Sequence, residues 1–177
     1  MVSDIGTVTG ANTQSLEAAK RGRTVRRIGI AILVTFVIAG LFGLFGHRQA
    51  TVTSTGSGYA VKVSYPRVTR GGLAANWSVR VERLDGSPLP AGVEVRSTAD
   101  YFSIFDENGL DPEPASVWSD GRVLTWTFDP PADANALDVS FDARMQPNTR
   151  GWFDATTSLA VDGDVVASVS YRTWAVP

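Results

Sequence analysis

Residues 159–171 read LAVDGDVVASVSY. Leu159 and Val161 alternate with smaller neighbours, Asp162–Gly163 interrupts, and Val165, Ala167, Val169 and Tyr171 resume the alternation. An Asp-Gly pair between two runs of period two signals a tight hairpin, because these residues tolerate the positive φ of a two-residue turn. Trp152 or Phe153 leads into its first arm.

The same period recurs upstream. YAVKVSY (59–65) puts Tyr59, Val61, Val63 and Tyr65 on one face. LAANWSVRV (73–81) puts Leu73, Ala75, Trp77, Val79 and Val81 opposite Asn76, Ser78 and Arg80. A short strand carries Val93 and Val95, and residues 123–128 align Leu124, Trp126 and Phe128. Residues 137–145 alternate Leu137, Val139, Phe141, Ala143 and Met145 with charged or small polar neighbours. Pro66, Gly71–Gly72 and Pro130–Pro131 punctuate the runs. Tyr101, Phe102, Ile104 and Phe105 fit a strand end or a helical turn equally well. Seven or eight half-apolar strands predict two sheets closing over one core, an immunoglobulin-like β-sandwich over residues 58–177, with a small barrel as the alternative. Trp77, Trp126, Phe128 and Phe141 are expected in the core, whereas Trp118, Trp152 and Trp174 lie near element ends, where one can be exposed.

The N-terminal third has a different pattern. Residues 28–46, IGIAILVTFVIAGLFGLFG, hold Thr35 as their one polar side chain. As a helix they would be about 28 Å long, enough for a hydrocarbon core. Lys20, Arg21, Arg23, Arg26 and Arg27 precede this run against Asp4 and Glu17, whereas residues 47–177 hold 11 basic and 16 acidic residues. That asymmetry predicts a retained single-pass anchor with its N-terminus cytoplasmic and residues 47–177 extracytoplasmic in the cell membrane. A cleaved signal peptide fits less well, since the leader and the apolar run are both long. Residues 1–27 are expected to be a basic leader with little structure beyond a brief helix capped by Ser15, and residues 47–57 a polar stalk. Ala39, Gly40, Gly43 and Gly46 offer a small-residue face for packing against another membrane helix.

Little in the chain suggests chemistry. There is no cysteine, which excludes disulfides, thiolate nucleophiles and cysteine-held metals. The single histidine, His47, sits beside the apolar run, away from any partner nucleophile. No dinucleotide, phosphate-loop, zinc-protease or serine-hydrolase motif occurs, so an enzyme is not expected. A carboxylate-pair hydrolase acting on envelope polymers is the remaining enzymatic alternative. In FDENGLDPE, Asp106, Asn108, Asp111 and Glu113 are candidate oxygen ligands for calcium around Gly109, although the spacing departs from an EF-hand and a plain acidic turn is the preferred reading. No other cofactor is implied. Basic residues are outnumbered beyond the anchor, so nucleic acid is not an expected partner. Asn76-Trp77-Ser78 matches a glycosylation triplet.

The phrases VSYPRVTRGGLAANWSVRV (63–81), YFSIFDENGLDPEP (101–114), LTWTFDPP (124–131), SFDAR (140–144) and YRTWAVP (171–177) resemble a group of small bacterial single-pass membrane proteins of actinobacterial type. The resemblance implies an extracytoplasmic immunoglobulin-like sandwich and supplies no catalytic or binding residues. The functional expectation is a membrane-anchored module that binds or stabilises a membrane or envelope protein. The alternative is a small-ligand or glycan binder.

Overall fold

The Asp162–Gly163 turn forms as predicted, with φ of 52° and 87°, and joins β9 (Gly151–Val161) to β10 (Asp164–Val176). The computed structural model describes residues 8–41 and 48–176, and the side chains of residues 8–20, 39, 107 and 108 fall outside that description. The chain divides into two units, Met1–Gly46 and His47–Pro177.

In the second unit, β1 (Arg48–Gly56), β2 (Tyr59–Arg70), β3 (Trp77–Arg83) and β4 (Val93–Thr98) precede a helical turn, α2 (Ala99–Phe102). Then follow β5 (Phe105–Asp111), β6 (Ser116–Ser119), β7 (Val123–Phe128) and β8 (Ala136–Met145). The domain is mostly β, one curled mixed sheet in the order β5-β8-β3-β2-β10-β9-β4-β7-β6, with β1 on β2. All pairings are antiparallel except β2 with β10.

β2 makes the curl possible. Tyr59–Ser64 pairs with β3, and after Pro66 the segment Val68–Arg70 pairs in parallel with Trp174–Val176 of β10. Burial changes phase at the same place, from Val61, Val63 and Tyr65 to Pro66 and Thr69. Proline removes one ladder donor there, and Arg67, the extra residue of a β-bulge in β2 against Arg48 and Gln49 of β1, bends the strand. The two halves of the sheet therefore face each other over one core.

That core holds the predicted residues. Val61, Val63, Ala75, Trp77, Val79 and Val81 are almost wholly buried, as are Val139, Ala143 and Met145 of β8. Trp77 reaches across to Trp126 and stands edge-on to Phe102 at 5.1 Å. A buried polar chain crosses the same space. Trp77 Nε1 donates to Tyr171 Oη at 2.8 Å, Tyr171 Oη lies 2.9 Å from Thr157 Oγ1, and Thr157 Oγ1 lies 2.9 Å from Ser97 Oγ. Nearby, Thr173 Oγ1 lies 2.8 Å from Tyr101 Oη and donates to the Pro66 carbonyl at 2.7 Å. Desolvation raises both phenols, Tyr101 and Tyr171, above the usual tyrosine range.

Several expectations are corrected. Residues 48–56, expected as a stalk, form β1 in register with β2 from Gln49↔Pro66 to Gly56↔Tyr59, so the domain begins before residue 58. Leu73 and Val165, expected inside, are 47% and 55% exposed. Leu73 precedes β3, and a bulge between Val165 and Ala167 turns the hairpin arm. The apolar cluster at 101–105 proves to be both a helical turn and a strand start, with all four named side chains buried.

In the first unit, α1 runs unbroken from Val8 to Leu41, so Ser15 lies within a helix instead of capping a short one. A helix pays its nucleation cost once, and LEAAKR consists of good helix formers, so one helix absorbs the leader. Every described side chain from Ile28 to Leu41 is exposed within the chain, and Thr35 Oγ1 donates back to the Ala31 carbonyl at 2.8 Å. Among the described residues no helix is long and apolar enough to cross a membrane. The described part of the apolar run, Ile28 to Leu41, amounts to about 20 Å of helix. Residues 42–46 of the expected span lie outside the described residues.

Candidate functional site

A curled sheet that does not close leaves two terminal strands, here β5 and β6. The chain crosses between them through Pro112, Glu113, Pro114 and Ala115, and the amide of Ala115 bonds the Thr127 carbonyl at 2.8 Å. Along this seam lies a cleft of about 380 Å³. Its floor is aromatic: Phe102 stands edge-on to Trp126 at 4.9 Å and to Phe141 at 5.5 Å. Leu110, Leu124 and the 59% exposed Val117 supply apolar walls. Glu113 is the one ionisable side chain in the described lining.

Such a site can bury an apolar group and place a cation or a donor against Glu113. Glycoside hydrolysis needs two carboxyl groups across a cleft, and among the described residues this lining offers one.

Two shallower features lie on the outer faces. Across β1, β2, β3, β8 and β5 the register aligns Thr51, Ser64, Ser78, Ser140 and Asp111 in one row. Lys62, Arg80 and Asp138 wall it on one side, with Arg80 paired to Asp138. On β4, β7 and β6, a basin of about 660 Å³ brings the 62% exposed Trp118 near Thr125, Thr127 and the Glu94–Arg96 pair at 2.6 Å. Asp120 at its rim accepts the amides of Val123 and Arg122 at 2.7 Å each, which holds its carboxyl below the usual range.

The expected calcium ligands are spread out. Asp106 lies opposite Arg144 on β5, Asp111 opposite Ser140, and Glu113 lies on the seam. The glycine expected to curl the chain round an ion, Gly109, instead sits in a β-bulge with φ 97°. The Asn108 side chain lies outside the described residues, and among the described residues no three acidic or imidazole groups gather as a metal site. Gly40 lies on α1, whereas the Ala39 side chain, Gly43, Gly46 and His47 fall outside the description. The cleft itself escaped the sequence reading. Phe102, Trp126 and Phe141 have the hydrophobicity of core residues, and only the PEP segment at 112–114 marks where the chain changes halves.

No family model matches the chain, and no curated protein matches it. Among solved structures it is similar to the CARDB domain of a Pyrococcus furiosus protein in complex with di-metal ions. They share 16% identity over 70% of this chain and 92% of that one, with a TM-score of 0.40. It is also similar to Pseudomonas fluorescens alkylpurine DNA glycosylase AlkC bound to DNA containing an abasic site analog, at 16% identity and a TM-score of 0.30. That match covers 75% of this chain and 32% of the glycosylase, so the chain spans about a third of that enzyme's length. Both are distant likenesses and assign the chain to no family.

Proposed function

We propose that this chain is a membrane-anchored, extracytoplasmic protein-interaction module whose immunoglobulin-like sandwich receives an extended apolar segment of a membrane or envelope protein along the β5–β6 seam. The observation that carries the reading is the seam, where an aromatic-floored cleft runs beside an unclosed strand edge. Edge strands offer backbone donors and acceptors to an added strand, and pockets beside them select side chains. β6 has only four residues, so apolar burial in the cleft must contribute most of the affinity. Glu113 favours a basic residue beside the apolar one. The immunoglobulin-like assignment is supported by the way β2 pairs first with β3 and then with β10. Residues 28–46 supply the anchor in this reading. Because 48–56 belong to the domain, only His47 separates it in sequence from the proposed anchor.

The test is site-specific photo-cross-linking in native membranes, with the full chain carrying the photoreactive residue at Val117 or, as control, at exposed Thr53. One recurrent adduct from 117, absent from 53, supports the proposal. Equal labelling at both sites, or none at either, refutes it.

A second reading has its own observation. Exposed Trp118 beside paired charges and threonine hydroxyls suits a sugar ring stacked on indole. Saturation-transfer NMR with envelope oligosaccharides, and its loss in Trp118→Ala, would favour that reading over the seam.

A further inference from the structure

The two ends of the domain differ in the side chains that the register brings together. At the hairpin end lie Asp162 and Asp164, with Asp85, Asp129 and Asp133 on neighbouring turns. At the opposite end, where β1 starts, the register brings arginine and tryptophan together. Trp152 pairs with Trp174, Trp174 with Val68, and Val68 with Arg48, in one row across β9, β10, β2 and β1. One step further out, Arg70 lies beside Val176, and Arg150 precedes Gly151, the partner of Ala175. One step inward, Arg172 binds Asp154 and holds its guanidinium 5.9 Å from the Trp152 ring. The two indoles stack at 5.3 Å with planes 14° apart, although they are 62% and 39% exposed. Arg67, Arg70 and Arg150 are exposed and form no ion pair with a described residue.

We infer that this end of the domain is a seat for the anionic headgroups of a phospholipid bilayer. Two observations converge. Arg48, Arg70, Arg150 and Arg172 gather by register round two tryptophans at one end of a domain whose net charge is negative. Two large amphipathic rings stay exposed beside them, and indole and guanidinium are the side chains that settle at a membrane interface. The chain also enters the domain at this end, because β1 begins at Arg48 just after the apolar run. The inference deepens the anchored reading and borrows from it only the presence of a bilayer.

The test uses the full chain with nanodiscs of phosphatidylcholine, with or without phosphatidylglycerol, carrying a lipid-borne quencher at headgroup depth. Insertion is read from co-migration with the disc, and docking from quenching of tryptophan emission. The expected result is quenching that requires phosphatidylglycerol, weakens with salt, and disappears in the double variant Trp152→Phe, Trp174→Phe. Each arginine near an anionic surface contributes about 1 kcal/mol, so Arg70→Gln with Arg150→Gln should lower the docked-to-free ratio about 30-fold.

Insertion without lipid-dependent quenching overturns the seat and leaves the anchor standing. Quenching at the disc surface without insertion upholds the seat and removes the anchor. Displacement by soluble polyglutamate at the concentration of charge that phosphatidylglycerol presents would overturn the lipid assignment in favour of an acidic polymer.

Discussion

Replacing Tyr171 with phenylalanine tests whether the buried polar chain holds the two halves of the sheet together. Its direction follows from the groups themselves. An indole nitrogen only donates, so the Tyr171 oxygen accepts from Trp77 and its own proton goes to Thr157. The Thr157 proton then passes to Ser97, whose hydroxyl ends 3.4 Å from the Thr156 carbonyl. Without the phenol oxygen, Trp77 Nε1–H has no acceptor, and Trp77 is 1% exposed, so water does not replace it. A buried donor left unpaired costs about 1–3 kcal/mol, and Thr157 loses an incoming bond but keeps its outgoing one, so about 2–3 kcal/mol in all is expected. For a domain of this size that lowers Tm by about 8–12 °C. Tyr65→Phe is the control: its ring lies 4.6 Å from that of Tyr171, and its hydroxyl bonds no described residue. Denaturant titration of the full chain in detergent, followed by near-ultraviolet circular dichroism, measures both. A loss below about 0.5 kcal/mol for Tyr171→Phe, or one equal to that of Tyr65→Phe, would refute the argument.

Three further outcomes follow from the same core. Thr69 Oγ1 is buried without a hydrogen-bond partner among the described residues, so the near-isosteric Thr69→Val should stabilise the domain by about 1 kcal/mol in the same titration; destabilisation would mean the hydroxyl is satisfied. A Cβ on Gly56 would stand 2.3 Å from the Val166 carbonyl oxygen, so Gly56→Ala should cost more than about 1 kcal/mol and loosen protease protection at β1. Tyr101 and Tyr171 have folded pKa values raised by burial, whereas the unfolded phenols ionise near 10. The stability this contributes is complete below about pH 10 and is lost as pH rises above it, because the unfolded chain then releases protons that the folded one keeps. Their phenolate absorbance should therefore appear together with loss of near-ultraviolet dichroism, and ionisation with that signal intact would contradict the burial.

How much was legible in the sequence divides by what alternation encodes. Period-two alternation reports which face of a strand is buried, and β8 shows the best case, with every predicted inward residue of 137–145 buried. The hairpin turn was legible because Asp-Gly has few alternatives between two such runs. Alternation carries no information about which strand neighbours which, so neither the terminal positions of β5 and β6 nor the cleft between them could be read. It also fails where pairing is interrupted, as at Leu73 and at the bulge beside Val165. The tryptophans divide in the same way. Trp77, which opens β3, and Trp126, within β7, keep the apolar phase and are buried, whereas Trp118, Trp152 and Trp174 are exposed. Trp152 and Trp174 face outward in phase with Asp154 and Arg172, a polar phase the sequence already displayed.

The misreading of residues 48–56 and the position of the cleft have one cause, the size of the side chains at the two seams of the curled sheet. On one side β1 lies alongside β2 and approaches β10, and its half-buried positions are Ala50, Val52, Ser54 and Gly56. Gly56 comes so near the Val166 carbonyl that no side chain fits, so a strand closing this seam must be built from small residues. Small residues alternating with threonine read as a polar stalk, and the strand escapes notice because the seam it fills is narrow. On the other side the seam is propped by Phe102, Trp126 and Phe141, rings too large for β5 and β6 to meet over. A strand that filled it would need bulky apolar residues where β1 has alanine and glycine. Within its described residues the chain places no such strand there, and that mismatch in size is why the segment proposed to fill the seam is sought in a partner.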